Sequence, residues 1–282
     1  INSGASWTRL ASTNTSDFYW TNRLSYASNG GVVLAATGSG VWRSTDNGTT
    51  WTKVRTGRSR DVKFKPGSAT RAIAESASTG SAHYTVDGGL TWTACAGLSA
   101  GGSKRTEYAW SSGYTGRGAG VVYALKDSSS SLYRSVDGGA NFTLVSTNTM
   151  LGTQGWYDNA LWVAPYPKNA STTDDIIVAG GIDLWRSTDA GNSFTRISRW
   201  SSWPNSAHAD HHAIVADPGY DGQQNLKVWF GNDGGVWSTD NVLTVALTSG
   251  WDRRNENLGI TQYYGASTHP KTGIVIGGTQ DN

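Results

Sequence analysis

An eight-residue motif recurs four times along the chain and constrains the fold more than any other feature of the sequence. It reads STDNGTTW at 44–51, TVDGGLTW at 85–92, SVDGGANF at 135–142 and STDAGNSF at 187–194. Every copy has Ser or Thr first, Asp third, Gly fifth and Trp or Phe last, and a degenerate fifth copy begins at Ser238. A repeat interval of about 40 to 50 residues, with short strands only, is typical of a β-propeller.

The segments between the motifs are built alike. The fourth unit contains NALWVAPYP, DIIVAGG, DLWRSTD and SFTRIS, four short β-rich runs separated by Gly, Pro, Asn and Asp. The sequence therefore predicts an all-β protein, with residues 1–282 forming a single β-propeller of four-stranded blades and six or seven blades in the ring. The predicted full blades are 17–55, 59–97, 105–147, 156–198 and 208–258, and residues 260–282, with or without 1–10, supply a partial blade. The chain starts inside a repeat unit, so the pattern allows for a chain that is incomplete at both ends.

Composition argues against several classes of protein. The 282 residues carry a net charge of +2 and 16% charged side chains, which does not favour a nucleic-acid partner. The sequence has no run of about 18 apolar residues, so we expect no membrane insertion. Cys95 is the single cysteine, which excludes an internal disulfide. The 36 glycines and the low charge are typical of a secreted or cell-surface β-protein.

The repeated motif resembles the Asp-box, or BNR repeat, of the sialidase-like β-propeller superfamily. The resemblance extends over essentially the whole chain. It includes bacterial BNR-repeat proteins described as glycosyl hydrolase-like and, more distantly, xyloglucan hydrolases and sortilin-type propellers. It implies that each box is the turn between the third and fourth strands of a blade, with an aspartate that is structural. Sialidases of this group carry an Arg-Ile-Pro segment, and its absence from the sequence argues against a typical sialidase.

The predicted blade topology sorts the loops onto two faces. The connection that enters a first strand and the turn between the second and third strands lie on one face, and the Asp boxes lie on the other. In the related enzymes the substrate binds on the first face, over the central channel. Here that face collects Asp, Tyr, Trp and Arg side chains. Such a mixture suits carbohydrate, because aromatic rings stack on the apolar faces of sugars and polar groups pair with their hydroxyls.

The segment HADHH at 208–212 contains three of the five histidines and leads into a predicted first strand. Alternate side chains of an extended segment share a side, so we expect His208, Asp210 and His212 to point one way and His211 the other. Two imidazoles and a carboxylate in that arrangement could bind zinc or another divalent ion. Alternatively, Asp210 acts as a general acid or base, or the segment is hydrogen-bonded structure at the channel mouth.

Glycoside hydrolysis usually requires two carboxylates, which directs attention to the aspartates of the same face. The candidate catalytic residues are Asp158, Asp210, Asp233 and Asp281. For each of them the alternative is an ordinary turn-forming aspartate. The candidate substrate-binding residues are Trp20, Arg60, Trp156, Tyr157, His208, His211 and Tyr263.

These patterns favour a secreted, carbohydrate-directed, glycoside hydrolase-like propeller that acts on an extracellular polysaccharide or glycoconjugate. We expect no required cofactor, with a divalent metal at 208–212 as the one candidate. Two alternatives stay open: a non-catalytic propeller that binds glycan or protein through the same face, and a structural repeat of a surface or filament protein. Further domains of the same protein are additional candidate partners.

Overall fold

The regular structure of the chain is almost entirely β-strand. The computed structural model describes residues 5–27, 30–98, 105–111, 118–127, 130–148, 150–165, 174–256, 258, 262–268 and 275–280. These residues form five four-stranded sheets and one two-stranded sheet. Short 3-10 helices lie at Ala11–Thr13, Ser16–Phe18 and Trp200–Ser202. In this described part of the chain, no helix has the length and apolar character needed to cross a membrane.

Each four-stranded sheet uses four consecutive strands in chain order, and all strand pairs are antiparallel. The first sheet holds β1 (Thr21–Tyr26), β2 (Val33–Thr37), β3 (Gly40–Ser44) and β4 (Thr52–Thr56). The second holds β5 (Val62–Phe64), β6 (Ala72–Ser76), β7 (Ser81–Thr85) and β8 (Thr93–Ala94). The third holds β9 (Thr106–Ser111), β10 (Val121–Lys126), β11 (Ser131–Ser135) and β12 (Thr143–Thr147). The fourth holds β13 (Ala160–Val163), β14 (Ile177–Gly180), β15 (Leu184–Ser187) and β16 (Thr195–Arg196). The fifth holds β17 (His211–Ala216), β18 (Val228–Asn232), β19 (Gly235–Thr239) and β20 (Asp252–Arg253), and the two-stranded sheet holds β21 (Gln262–Thr268) and β22 (Val275–Gln280).

The hydrophobic core is divided into layers that lie between successive sheets. Leu34 of the first sheet packs in one cluster with Val62 of the second, and Val178 of the fourth packs in another with Phe230 of the fifth. The second strands β2, β10 and β14 are buried along almost their whole length, which reflects packing on both of their faces. The first strands β1, β5, β9, β13 and β17 contact one another in that order, so they line the inner side of the array. This arrangement confirms the predicted all-β propeller of four-stranded blades.

All four copies of the repeated motif form the same turn between the third and fourth strands of a sheet. In the copy at 187–194 the Ser187 hydroxyl donates to Asp189 Oδ1 at 2.7 Å and accepts from the backbone N–H of Gly191 at 2.8 Å. The Asp189 carboxylate also accepts from the backbone N–H and the hydroxyl of Ser193, at 2.9 and 2.6 Å. The equivalent contacts recur at 44–51, 85–92 and 135–142. The carboxylates of these four aspartates therefore accept the hydrogen bonds that stabilise the turns.

The backbone explains the glycine of the motif. Its fourth and fifth residues are both left-handed, with φ of 57° and 88° at Asn47 and Gly48, and 56° and 92° at Ala190 and Gly191. Glycine adopts this conformation without steric cost, whereas other residues do so less readily. A Cβ at position 191 would also lie 2.3 Å from the Leu132 side chain of the neighbouring sheet. The motif therefore joins a tight turn to the packing between blades.

Removing one motif aspartate should destabilise the protein. Asp189→Ala is expected to lower the free energy of unfolding by about 1 to 3 kcal/mol, since it deletes a hub of hydrogen bonds and leaves their donors unpaired. Urea unfolding of the full chain measures this. The matched control is Asp240→Ala in the degenerate copy, where the aspartate is 76% exposed and bonds Lys227 on the surface. An exposed ion pair contributes about 1 kcal/mol or less. Equal losses in the two variants would contradict this role of the motif.

Candidate functional site

Loops from the fourth and fifth sheets meet at one place on the predicted functional face. Residues 154–158 precede β13, residues 208–212 lead into β17, and Asp233 lies in the turn between β18 and β19. The Tyr157 hydroxyl donates to Asp233 Oδ2 at 2.9 Å, which joins the first-strand entry of one sheet to the second-to-third-strand turn of the next. Loops of these two kinds therefore come together, as expected for a propeller.

Asp233 is oriented by two aromatic side chains. Its Oδ1 lies 2.6 Å from His212 Nε2, and its Oδ2 accepts the hydrogen bond from Tyr157. The rings of Tyr157 and His212 meet edge to face, with their centroids 4.9 Å apart. Trp156 lies against Tyr157 at 5.7 Å and is 69% exposed, so an open aromatic surface adjoins the site. The Asp233 side chain is 16% exposed, which leaves part of its carboxylate accessible from solvent.

Asp158 and Asp210 form a second carboxyl centre. Asp158 is fully buried, and its carboxyl group lies beside that of Asp210. Burial, together with the neighbouring Asp210 carboxyl, raises the pKa of Asp158 to about 7. Asp210 is only partly buried and accepts a hydrogen bond from Gln154 Nε2 at 3.0 Å. Two adjacent carboxyl groups do not readily ionise together, so this pair retains a proton close to neutral pH.

A single turn, residues 154–158, contacts both centres. The carbonyl of Gln154 accepts the backbone N–H groups of Tyr157 and Asp158 at 2.6 and 3.1 Å, which closes the turn. The side chain of Gln154 then reaches Asp210 while that of Tyr157 reaches Asp233. The sequence reasoning missed Gln154, because one glutamine in a polar loop belongs to no recognisable pattern. The turn makes Asp158, Asp210 and Asp233 one site.

A buried ionic cluster supports this turn from the inner strands. Arg105 donates to the carbonyl of Tyr157 and also bonds the Glu107 carboxylate at 2.9 Å. Arg23 lies 3.0 Å from Glu107 and 3.2 Å from Asp61, which ties β1 to β5 and β9. Burial raises the pKa of Asp61, whereas the surrounding cations outweigh burial and lower the pKa of Glu107. Paired charges of this kind are costly to separate, so the cluster fixes the inner strands and, through Arg105, the turn.

The HADHH segment is not extended throughout, but its side chains divide as expected: His211 is buried, whereas His208, Asp210 and His212 are each partly exposed. Asp210 has a left-handed backbone with φ of 63°, and β17 begins at the next residue, His211. His211 points into the core, where it is fully buried beside Phe230, and burial lowers its pKa to about 3. The assignment of His211 to substrate binding is corrected, since its side chain is fully buried and does not reach the surface.

The predicted metal site does not form from the described side chains. His212 bonds Asp233, Asp210 bonds Gln154, and His208 Nδ1 lies 3.3 Å from the carbonyl of Ala209. Within the described ranges no three His, Cys, Asp or Glu side chains are grouped so that they could hold a metal ion.

The remaining predicted residues lie elsewhere. Asp158 is buried and cannot touch a substrate directly, so its assignment as a catalytic residue is corrected to that of a partner of Asp210. Arg60 is paired with Glu75, whose carboxylate it meets at 3.3 Å. Trp20 is 76% exposed at the entry to β1 in the first sheet. Tyr263 belongs to β21 but its side chain lies outside the described part of the chain, and Asp281 lies outside the described residues altogether.

Comparison with known proteins supports the fold. Neither a protein-family profile nor a curated protein sequence matches this chain. Among solved structures, the GH74 xyloglucanase from Xanthomonas campestris is similar over 92% of this chain, with 19% identity and a TM-score of 0.62. An ancestral GH74 enzyme is similar over 83%, with 14% identity and a TM-score of 0.58. YCF48 bound to a D1 peptide is similar over 92%, with 16% identity and a TM-score of 0.53.

The lengths of these proteins differ. This chain spans 42% of the xyloglucanase, 32% of the ancestral enzyme and 76% of YCF48. At such identities the likeness is one of fold, and the same fold occurs in both kinds of protein. The chain is therefore a β-propeller, similar in architecture to glycoside hydrolases of one group and to a peptide-bound propeller of another.

Proposed function

We propose that this chain is a secreted, carbohydrate-directed propeller of the Asp-box type that hydrolyses an extracellular glycan at the site formed by Asp158, Asp210 and Asp233. One observation carries the proposal. The turn at 154–158 holds a partly buried carboxyl group at Asp210 and a second, separately oriented carboxylate at Asp233. Glycoside hydrolysis requires two carboxyl groups in different protonation states. The similarity in fold to the xyloglucanase supports the same class of reaction.

The environments of the aspartates suggest their roles. Asp210 is the accessible member of the pair, and it passes the proton that the two carboxyl groups share to the oxygen of the leaving sugar. Asp158, buried beneath it, favours the protonated form of the pair up to about pH 7. Asp233 receives hydrogen bonds on both oxygens, which orients it as the second carboxylate, acting as base or nucleophile. The exposed Trp156 ring provides a surface on which a sugar ring can stack.

A glycan panel tests the proposed activity. The full chain is incubated with plant, microbial and sialylated glycans, and new reducing ends are measured. Asp233→Asn is expected to lower the rate by about 10²-fold or more, because an amide neither activates water nor attacks the sugar. Asp240→Asn, at a position 76% exposed in the same sheet, is the matched control and should retain the wild-type rate. If the Asp233→Asn variant produces new reducing ends at the wild-type rate, Asp233 takes no part in the reaction.

A non-catalytic binding propeller is the second candidate. Its support is the similarity to YCF48 bound to a D1 peptide, a protein of which this chain spans the larger share, 76%. The same panel separates the two functions. Absence of product from every glycan, together with retained binding of a glycan or peptide, would favour the binding propeller. The site would then recognise its ligand through Trp156 and Tyr157 without chemistry.

A further inference from the structure

A second cavity adjoins the proposed site and has its own chemistry. It encloses about 500 Å³ and is lined by Trp200, Ser201, Trp203, His208, Gly234, Arg253 and Asn255. Two of these residues tie it to the site: His208 lies two positions before Asp210, and Gly234 follows Asp233 directly. A Cβ at Gly234 would lie 2.4 Å from the imidazole of His208, so these two loops are in close contact. The cavity and the carboxylates therefore share their walls.

The cavity presents two open indole rings. Trp200 and Trp203 are 54% and 55% exposed, although the sheets bury aromatic side chains such as Trp237 and Phe230. Large apolar side chains at a concave surface, next to hydrogen-bonding groups, are the usual composition of a ligand site. Two indoles beside polar groups suit a ring that has an apolar face and a polar edge.

The positive charge of Arg253 favours an anionic ligand in this cavity. Among the residues that the structure describes, no carboxylate or carbonyl group bonds its guanidinium, whereas the adjacent Arg254 is paired with Asp252 at 2.9 Å. Asn255 is occupied with the backbone of Val236 and Gly234, at 2.8 and 2.6 Å, so it helps to shape the wall. A free guanidinium presents several donors in one plane, an arrangement that matches a carboxylate.

We propose that this cavity, bounded by Trp200, Trp203 and Arg253, is a subsite for an acidic sugar, and that the glycan bound by this protein contains uronic acid residues. The indole rings stack on the sugar ring, and the guanidinium of Arg253 binds the carboxylate of that sugar. The inference rests on the proposed function for the class of ligand, and it extends that function by naming the kind of sugar. An acidic peptide offers the same charge, but the shared walls with the carboxylate site favour the glycan.

Binding tests this subsite without any need for catalysis. The full chain is applied to an array of uronic acid oligosaccharides, each paired with its carboxyl-reduced counterpart. At least one acidic member is expected to bind about tenfold more tightly than its reduced partner. Arg253→Gln should abolish that preference, and Arg254→Gln should keep it. Arg253→Lys should retain part of it, because the charge remains while the planar fork is lost. Trp203→Ala should weaken the binding of both members of a pair, because the acidic and the reduced sugar stack on the indole alike.

Two results would overturn the subsite. One is equal binding of every acidic and reduced pair. The other is binding of a peptide rich in Asp and Glu that Arg253→Gln abolishes, with no glycan bound. Both are independent of hydrolysis, which the reducing-end assay measures separately. Binding of uronic acid glycans without product release would retain the subsite and reject the proposed hydrolysis.

Discussion

Replacing Asp210 by Asn is expected to lower the kcat for glycan hydrolysis by about 10²- to 10⁴-fold. The amide cannot supply the proton that the proposed reaction takes from this position. Its carbonyl oxygen can still accept the hydrogen bond from Gln154 Nε2, which lies 3.0 Å from Asp210 Oδ1. Asn also tolerates the left-handed backbone at this position, where φ is 63°. The fold should therefore persist, and the loss should be one of chemistry.

The measurement is kcat and KM on the substrate that the glycan panel identifies. A general acid acts mainly in the transition state, so kcat should fall while KM changes little. Asp240→Asn is the matched control, an aspartate-to-asparagine change at a surface position 76% exposed in the same sheet. It is expected to leave kcat within about twofold of the wild type. A similarly small effect of Asp210→Asn would exclude Asp210 as the proton donor.

The second large effect is a pH dependence of stability that originates at Asp158. Its pKa is about 7 in the folded protein against an ordinary value of 3.8, because burial and the neighbouring Asp210 favour the neutral acid. The folded protein therefore binds this proton more tightly than the unfolded chain does. The resulting stabilisation is complete below about pH 4 and is lost as the pH rises through about 7. The difference between these two pKa values corresponds to at most about 4 kcal/mol in the free energy of unfolding.

Asp158→Asn should remove this dependence, because the amide is neutral at every pH. Urea unfolding at about pH 5 and about pH 8 should show the wild type losing stability relative to the variant. The matched control is Glu75→Gln: burial raises the pKa of Glu75 to about 7 as well, but this residue is paired with Arg60 in the second sheet. Both variants should flatten the stability curve, and only Asp158→Asn should shift the alkaline limb of hydrolysis. Parallel curves for wild type and Asp158→Asn would show that Asp158 does not hold a proton.

Much of the scaffold could be predicted from the sequence because the same local turn recurs from blade to blade. The positions of Asp and Gly in the motif follow from a turn whose fourth and fifth residues are left-handed and whose carboxylate collects nearby donors. The order of strands within a blade then determines which loops share a face. That reasoning brought Tyr157 and Asp233 to the same surface, and the structure joins them at 2.9 Å.

The site itself could be predicted only in part. The left-handed backbone at Asp210 could not be predicted, because aspartate adopts that conformation as a single residue and leaves no periodic signal in the sequence. The burial of Asp158 and His211 depends on packing between neighbouring sheets, which local patterns do not encode. Gln154 acts through a tertiary contact 56 residues away, so only the folded chain reveals it.

The turn at 154–158 has a consequence for how such a protein can diverge. Because Gln154 and Tyr157 lie on one short turn, a mutation in that turn would disturb both the proposed proton donor, Asp210, and the proposed second carboxylate, Asp233. Natural variants altered in this turn would lose both proposed catalytic functions at once. Selection should therefore keep these residues unchanged. Preference for one glycan over another would have to change through the residues that line the surrounding cavity, because a single substitution there affects one contact only.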